Sequence, residues 1–339
     1  MSDEDRGPFE PDPVHGMEIR AGLTVGELAE QYGRAGGGAG DLGRAVEVTA
    51  AMFDDEDVTT LLGLAGAMVP LGLRGVVTDL IRDGNVEALV TTGATLTHDA
   101  IEAIGGHHHH GSAGPADHDA EERTGTGRRE HDESLREAGV DRIYDVYLPQ
   151  EHFTAFERHL RGEVFPEIER TVSIAELTRA LGAANARVNE AEGVEADAGI
   201  AAAAHDLDVP IYCPAVSDSV LGIQAWMRSQ VTDFSLDALA DMTDLNDLVH
   251  GAGSAGALVV GGGVPKNYVL QAMLVTPGAY DYGVQLTTDP EHTGGLSGAT
   301  LDEARSWGKL ARSAQNVTVV GDATITFPLL VAAARERID

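Results

Sequence analysis

Only two lysines, Lys266 and Lys309, occur in this chain of 339 residues; arginine supplies all the other members of its 23 basic side chains. Ordinary usage would place roughly twenty lysines in a chain of this length. A composition drained of one residue type keeps it where its nearest substitute fails. A desolvated lysine amine loses its proton and attacks a carbonyl or imine carbon, which a guanidinium effectively never does. Lys309 closes the run Asp302-Glu303-Ala304-Arg305-Ser306-Trp307-Gly308-Lys309, beside one of the chain's two tryptophans. An indole next to an amine supplies an apolar wall that lowers the amine's pKa and a π face that holds a cation. The same spacing also describes a core tryptophan with a snorkelling lysine neighbour.

Lys266 lies in Leu258-Val259-Val260-Gly261-Gly262-Gly263-Val264-Pro265-Lys266-Asn267. An apolar run, three glycines and a proline at a helix start read as strand, tight turn, helix. Amides left bare by glycine at the positive end of a helix suit a phosphate or pyrophosphate. The run is not the G-x-G-x-x-G fingerprint, and Gly-rich turns of this kind also occur without a ligand.

The elements that must position these residues alternate. Strand candidates are Ala88 to Gly93, Val209 to Pro214, Ala257 to Gly261, Gly283 to Thr288 and Val317 to Val320, each ending in small or polar residues. Helical periodicity occupies Leu71 to Asp83 and Leu236 to His250. This alternation predicts an α/β fold with a Rossmann-like, doubly wound, mostly parallel sheet and flanking helices. Ligands of such sheets bind outside the carboxyl ends of the strands. Gathered there are Thr91, Thr92, Gly93, Ser217, Asp218, Gly261, Gly262, Gly263, Thr287, Thr288 and Asp322. That mixture of bare amides and carboxylates suits a nucleotide, while Asp218 and Asp322 each also read as a helix N-cap.

Residues 1–16 are polar and proline-bearing and read as a loose arm preceding a single catalytic domain over 17–339. Gly33 to Gly43 reads as a turn between helices. Residues 105–133 carry Gly105-Gly106-His107-His108-His109-His110-Gly111 followed by acidic residues, with no apolar period. We read this segment as a low-complexity, solvated loop insertion rather than a metal trap. No H-E-x-x-H, paired cysteines or G-x-S-x-G occur, so no metal site is expected and hydrolase readings lack a motif.

A formal charge of −32 and a pI near 4.5 exclude general nucleic-acid binding and docking on anionic membranes. The chain is nevertheless 43% hydrophobic, enough for a substantial core. An acidic, lysine-poor, core-forming chain fits concentrated salt, where screening removes self-repulsion. The single cysteine, Cys213, fits a reducing compartment. With no signal-like start and no long apolar run, we expect a halophilic cytoplasm.

Five blocks in order carry a family likeness: Thr91 to Asp99, Cys213 to Ser219, Gly261 to Lys266, Asp302 to Lys309, and Asp322-Ala323 with Phe327 to Leu330. Together they resemble deoxyhypusine synthase from about residue 50 onward. The resemblance implies a homotetramer with active sites at a dimer interface and NAD bound through the cycle. Such an enzyme oxidises a polyamine, captures the aminobutyl fragment as an imine on a lysine, and passes it to a lysine of the translation initiation factor 5A precursor. Lys309 sits where the imine-forming lysine belongs. Trp307 and Glu303 match amine contacts. Thr92, Gly93, Asp218, Gly261, Gly262, Gly263, Thr288, Asp322 and Ala323 match cofactor positions.

Departures from the pattern are informative. Asn267 stands where the family has a histidine, and Ile223 and Leu296 replace two aspartates that hold the cationic ends of the polyamine. Two NAD-contact positions within Ala67 to Pro70 lack the usual Asn and Ser. The donor is therefore spermidine or agmatine. An asparagine at the Asn267 position also occurs in homospermidine synthases, which transfer to a small amine. A non-catalytic NAD-binding homologue and an NAD-consuming deacylase are the remaining readings. The retained Lys309 argues against the former, and the absence of zinc-binding cysteines against the latter.

Overall fold

The structure, a computed structural model, describes residues 13–112 and 126–338. Six strands form its main sheet: β1 (Val58–Leu64), β2 (Ala88–Val90), β3 (Ile211–Tyr212), β4 (Ser254–Val260), β5 (Tyr280–Thr287) and β6 (Leu310–Val320). All pairings are parallel, and the order from one edge is β3-β2-β1-β4-β5-β6. This is the 3-2-1-4-5-6 order of the doubly wound Rossmann fold, with the switch point between β1 and β4.

The strands are buried on both faces, which is why they read as nearly continuous apolar runs. In β1 and its neighbours Leu61, Ala88, Val90 and Ala257 turn to one core, and Leu62, Leu64, Leu89, Leu258 and Val260 to the other. The second core is the larger and packs the N-terminal helices Val25–Gly33 and Gly38–Asp54 with the C-terminal helix Ala323–Ile338. The first takes Val269, Leu270, Leu301 and Ala304 from the helices Gly263–Gln271 and Leu301–Ser306, the two elements that flank the lysines.

The sheet matches the sequence expectation in class and in five of its six strands. The sixth, β1, lies inside the sheet between β2 and β4 and was not among the strands expected from the sequence. Gly33 to Gly43 is only partly a turn, since the helix Gly38–Asp54 begins inside it. A Cβ on Gly43 would lie 2.3 Å from the Gly33 nitrogen, so these glycines let two helix backbones touch. The stretch Leu236 to His250 divides into a strand, Ser235–Asp237, paired with Thr171–Ser173, and the helix Ala240–Gly251.

The His-rich insertion is more ordered than expected over its described part. His109–His110 pairs with the hairpin Val140–Ile143/Val146–Pro149 to make a three-stranded antiparallel sheet, and a helix runs over Thr126–Glu137. The His108 ring is wedged between the Glu102 carboxylate, 2.6 Å away, and the His98 ring, 3.0 Å away. Burial, aided by His108, pulls the His98 pKa down to about 4. Burial is the reason the solvated-loop reading does not extend to His108. Residues 113–125 of the insertion and 1–12 of the N-terminal arm lie outside the described residues.

Candidate functional site

Beyond the strand ends, hydrogen bonds stitch the carboxyl edge of the sheet together. The Thr91 amide donates to Tyr212 (2.9 Å) and its hydroxyl to Leu64 (3.0 Å), Ala65 donates to Val260 (2.9 Å), Gly261 to Leu286 (2.8 Å) and Gly321 to Thr287 (2.8 Å). These bonds tie the segments that follow β1, β2, β4 and β6 to the adjacent strand ends. Between them opens a cavity of about 630 Å³ lined by Gly66, Ala67, Met68, Gly261, Thr288, Asp322 and Ala323 among others.

The floor of this cavity has to be glycine. Gly261 has φ +82°, and a Cβ there would stand 2.8 Å from the Ala65 carbonyl oxygen. A Cβ on Gly262 would stand 2.4 Å from Ser297 Oγ, and the Gly263 amide donates to that same hydroxyl at 3.1 Å. Asp322 caps the helix Ala323–Ile338, its Oδ1 accepting from the Thr324 amide and hydroxyl at 2.9 Å each. Its N-cap role is thus present, and its position beside the cavity is present with it.

Thr92, Gly93 and Asp218 lie on the same sheet edge, after β2 and β3, but do not line this cavity. Thr92 caps the helix Gly93–Ala103 by accepting from Thr95. Gly93 is packed so closely on Ser219 that a Cβ would stand 2.1 Å from its Oγ. Ser219, not Asp218, caps the helix Val220–Ser229, and Asp218 is exposed.

The helix Gly263–Gln271, which follows the glycine turn, borders a smaller cavity of about 280 Å³. Lys266, Asn267, Leu296, Glu303, Trp307 and Lys309 line it. Both lysines of the chain, 43 residues apart in sequence, therefore share one pocket. Lys309 is half-buried with its Nζ 5.7 Å from the centre of the Trp307 ring, itself 64% exposed. The backbone of Lys309 is pinned on both sides, its amide donating to Ala304 and its carbonyl accepting from Tyr280, each at 3.0 Å. Lys266 is fully buried, its ammonium donating to the carbonyls of Leu296 (3.1 Å) and Ala299. Burial pushes its pKa from 10.5 down to about 8, with Lys309 adding to the shift and Glu303 opposing it.

Lys266 follows the glycine turn whose bare amides suit a phosphate, and the structure places its side chain in the pocket it shares with Lys309. The scarcity of lysine was the signal that linked the two. Ile223 is exposed on the helix Val220–Ser229 and does not line the pocket. Among the described residues, no three His, Cys, Asp or Glu side chains form a group that could hold a metal ion. Among them, too, no helix is long and apolar enough to cross a membrane.

A parallel sheet in Rossmann order, with a glycine-floored cavity and a two-lysine pocket at its carboxyl edge, defines a doubly wound α/β protein of the ligand-binding class. The family model for deoxyhypusine synthase matches residues 27–334. The chain is 45% identical over 326 residues to a protein of Methanosarcina mazei named "Probable deoxyhypusine synthase 1", covering 96% of this chain and 95% of that one. It is 41% identical to the "Probable deoxyhypusine synthase" of Methanothermobacter thermautotrophicus, covering 96% and 98%. A crystal structure from Entamoeba histolytica bearing the same family name superposes with a TM-score of 0.60 at 17% identity, over 94% of this chain and 96% of that one. The chain belongs to the deoxyhypusine synthase family, a family of transferase enzymes.

Proposed function

We propose that the chain, as one catalytic domain over residues 17–339, transfers a four-carbon amine fragment through an imine on Lys309 to a lysine of the translation initiation factor 5A precursor, using NAD. The observation that carries this reading is the shared pocket of Lys266, Lys309, Trp307 and Glu303. The indole face and the Glu303 carboxylate suit a cationic donor. Lys309 is the better nucleophile of the two lysines because its amine is not tied to backbone carbonyls, as that of Lys266 is. Attack by the neutral Lys309 amine on the oxidised donor carbon forms the new C–N bond as the leaving amine departs with its proton. The acceptor lysine then takes the fragment by the same exchange, and Lys309 is freed.

The large cavity fits a dinucleotide. Gly66, Gly261 and Gly321 remove side chains where phosphates need close backbone approach, and Asp322 offers a carboxylate for ribose hydroxyls. Thr288 and Ala323 line the same space. Gly262, Gly263, Thr92, Gly93 and Asp218 extend the assignment along the sheet edge. When bound there, NAD would accept a hydride from the donor and return it at the end of the cycle. Exposed apolar side chains on and after the helix Val220–Ser229, Ile223, Trp226, Met227 and Val231, support burial against further copies in a homotetramer.

Asn267, which lines the pocket, favours a second reading in which a small amine is the acceptor. Incubation with NAD and labelled spermidine or agmatine, with and without the factor 5A precursor, separates the two by where the label goes. Leu296 in the pocket wall leaves fewer anchors for a dication, so agmatine should compete with spermidine. Borohydride added during turnover should trap an adduct on Lys309. An adduct elsewhere, or full activity in Lys309→Arg, rejects the proposal.

A further inference from the structure

The turn of the antiparallel hairpin, Tyr144-Asp145, reaches from the small three-stranded sheet to the wall of the large cavity, which Gly66, Gly261 and Gly321 also line. Tyr144 has φ +55°, and only one other non-glycine residue among those described, Asp208, has a positive φ. Asp208 belongs to a residue type that tolerates this region through local hydrogen bonding, whereas a bulky aromatic residue does not. Glycine would adopt the same turn without steric cost. The turn is held from outside the tyrosine ring: Arg142 donates to the Tyr144 carbonyl at 2.8 Å and Gly111 to the Asp145 carbonyl at 2.8 Å. The ring is not in either core, being 66% exposed. An aromatic side chain kept at a glycine-type position, left largely in water and set on a cavity wall, has no packing reason to be there.

We propose that Tyr144 is a cofactor-contacting residue that stacks on a planar heteroaromatic ring of the nucleotide held in this cavity, closing it from the hairpin side. The inference rests on the cofactor reading above. A flat ring seated between Tyr144 and the glycine floor gains aromatic contact at one face and backbone contact at the other, and the fixed turn limits the ordering needed on binding. The adenine and nicotinamide rings share this chemistry, so NAD and ADP-ribose, which lacks nicotinamide, serve as paired probes.

The test titrates the full chain with each probe for wild type, Tyr144→Gly and Tyr144→Phe, and records thermal midpoints without ligand. Tyr144→Gly should leave the midpoint equal or higher while weakening NAD binding by about two- to tenfold, the range of an aromatic pair; Tyr144→Phe should bind like wild type. A loss seen with both probes assigns the adenine ring, and a loss with NAD alone the nicotinamide ring. If Tyr144→Gly binds both probes as wild type does, stacking is rejected while the cofactor reading stands. If Tyr144→Gly melts much lower, the residue is structural and the inference is rejected. A wild-type chain that binds neither probe rejects both.

Discussion

Lys266 and Lys309 differ in what surrounds their amines. Lys266 is a buried cation whose ammonium is satisfied by two carbonyls of the segment that walls the pocket; Lys309 is a half-buried amine against an indole face. The first suits holding the Leu296 to Ala299 segment in place, and the second suits reaction. Because the folded pKa of Lys266 is depressed from 10.5 to about 8, its contribution to stability is fully present above 10.5 and is lost as pH falls through 8. The stability of wild type relative to Lys266→Met should therefore rise between pH 7 and pH 10, by at most roughly 3 kcal/mol from a drop of that size. Urea unfolding of both proteins at pH 7, 8.5 and 10 measures it. A difference that stays flat across this range would show that the Lys266 amine is not desolvated.

At the scale of elements, the reactive loop is set by one arginine. Arg305, in the short helix Leu301–Ser306, donates to the carbonyls of Arg312 (2.9 Å), Ala314 (2.8 Å) and Ala311 along β6, and pairs with Asp302 at 3.1 Å. It ties the helix that carries Glu303 and ends at Trp307 to the strand that follows Lys309. Arg305→Met should cost about 1.5 to 3 kcal/mol, as for hydrogen bonds to a charged group. It should also lower the yield of the borohydride adduct at Lys309 more than it lowers NAD affinity, since the large cavity lies on other loops. Equal losses in both readouts would mean general loosening instead. The strand ends that build this edge were legible in the sequence because each apolar run stops at small or polar residues, as Val260 does at Gly261. The central strand β1 was not, since Gly63 interrupts the apolar run of Val58 to Leu64 and the run reaches its turn glycine, Gly66, only after Ala65. The hairpin bearing Tyr144 was also illegible: its strands are four residues each, and its pairing with His109–His110 is a tertiary contact that periodicity does not encode. The meeting of Lys266 with Lys309 was foreshadowed only by their rarity, because the turn of the helix Gly263–Gln271 decides which way Lys266 points.

For the whole molecule, charge is the dominant fact. Against 55 acidic residues stand 23 basic ones, and exposed pairs such as Arg142–Asp132 at 2.7 Å and Arg129–Glu133 at 2.8 Å offset little, since surface pairs contribute about 0 to 1 kcal/mol each. The remaining carboxylates repel one another over a Debye length of roughly 10 Å at 0.1 M salt, which shrinks to roughly 3 Å at 1 M. Folding brings these charges closer together than they are in the unfolded chain, so dilute buffer penalises the folded state. Assembly into the proposed tetramer would concentrate them further, and would be the step that covers the exposed Trp226, Met227 and Val231. We therefore expect both the thermal midpoint and the assembled fraction to rise as KCl goes from dilute buffer to about 1 M, with the larger part of the rise complete once screening is short-ranged. Scanning calorimetry and sedimentation across a KCl series measure the two quantities on the same samples, and equimolar glycerol controls for effects of solute unrelated to charge. A midpoint that does not move with KCl contradicts the expectation of a salt-adapted protein, whereas a midpoint that rises while the chain stays monomeric separates folding from assembly and rejects only the tetramer.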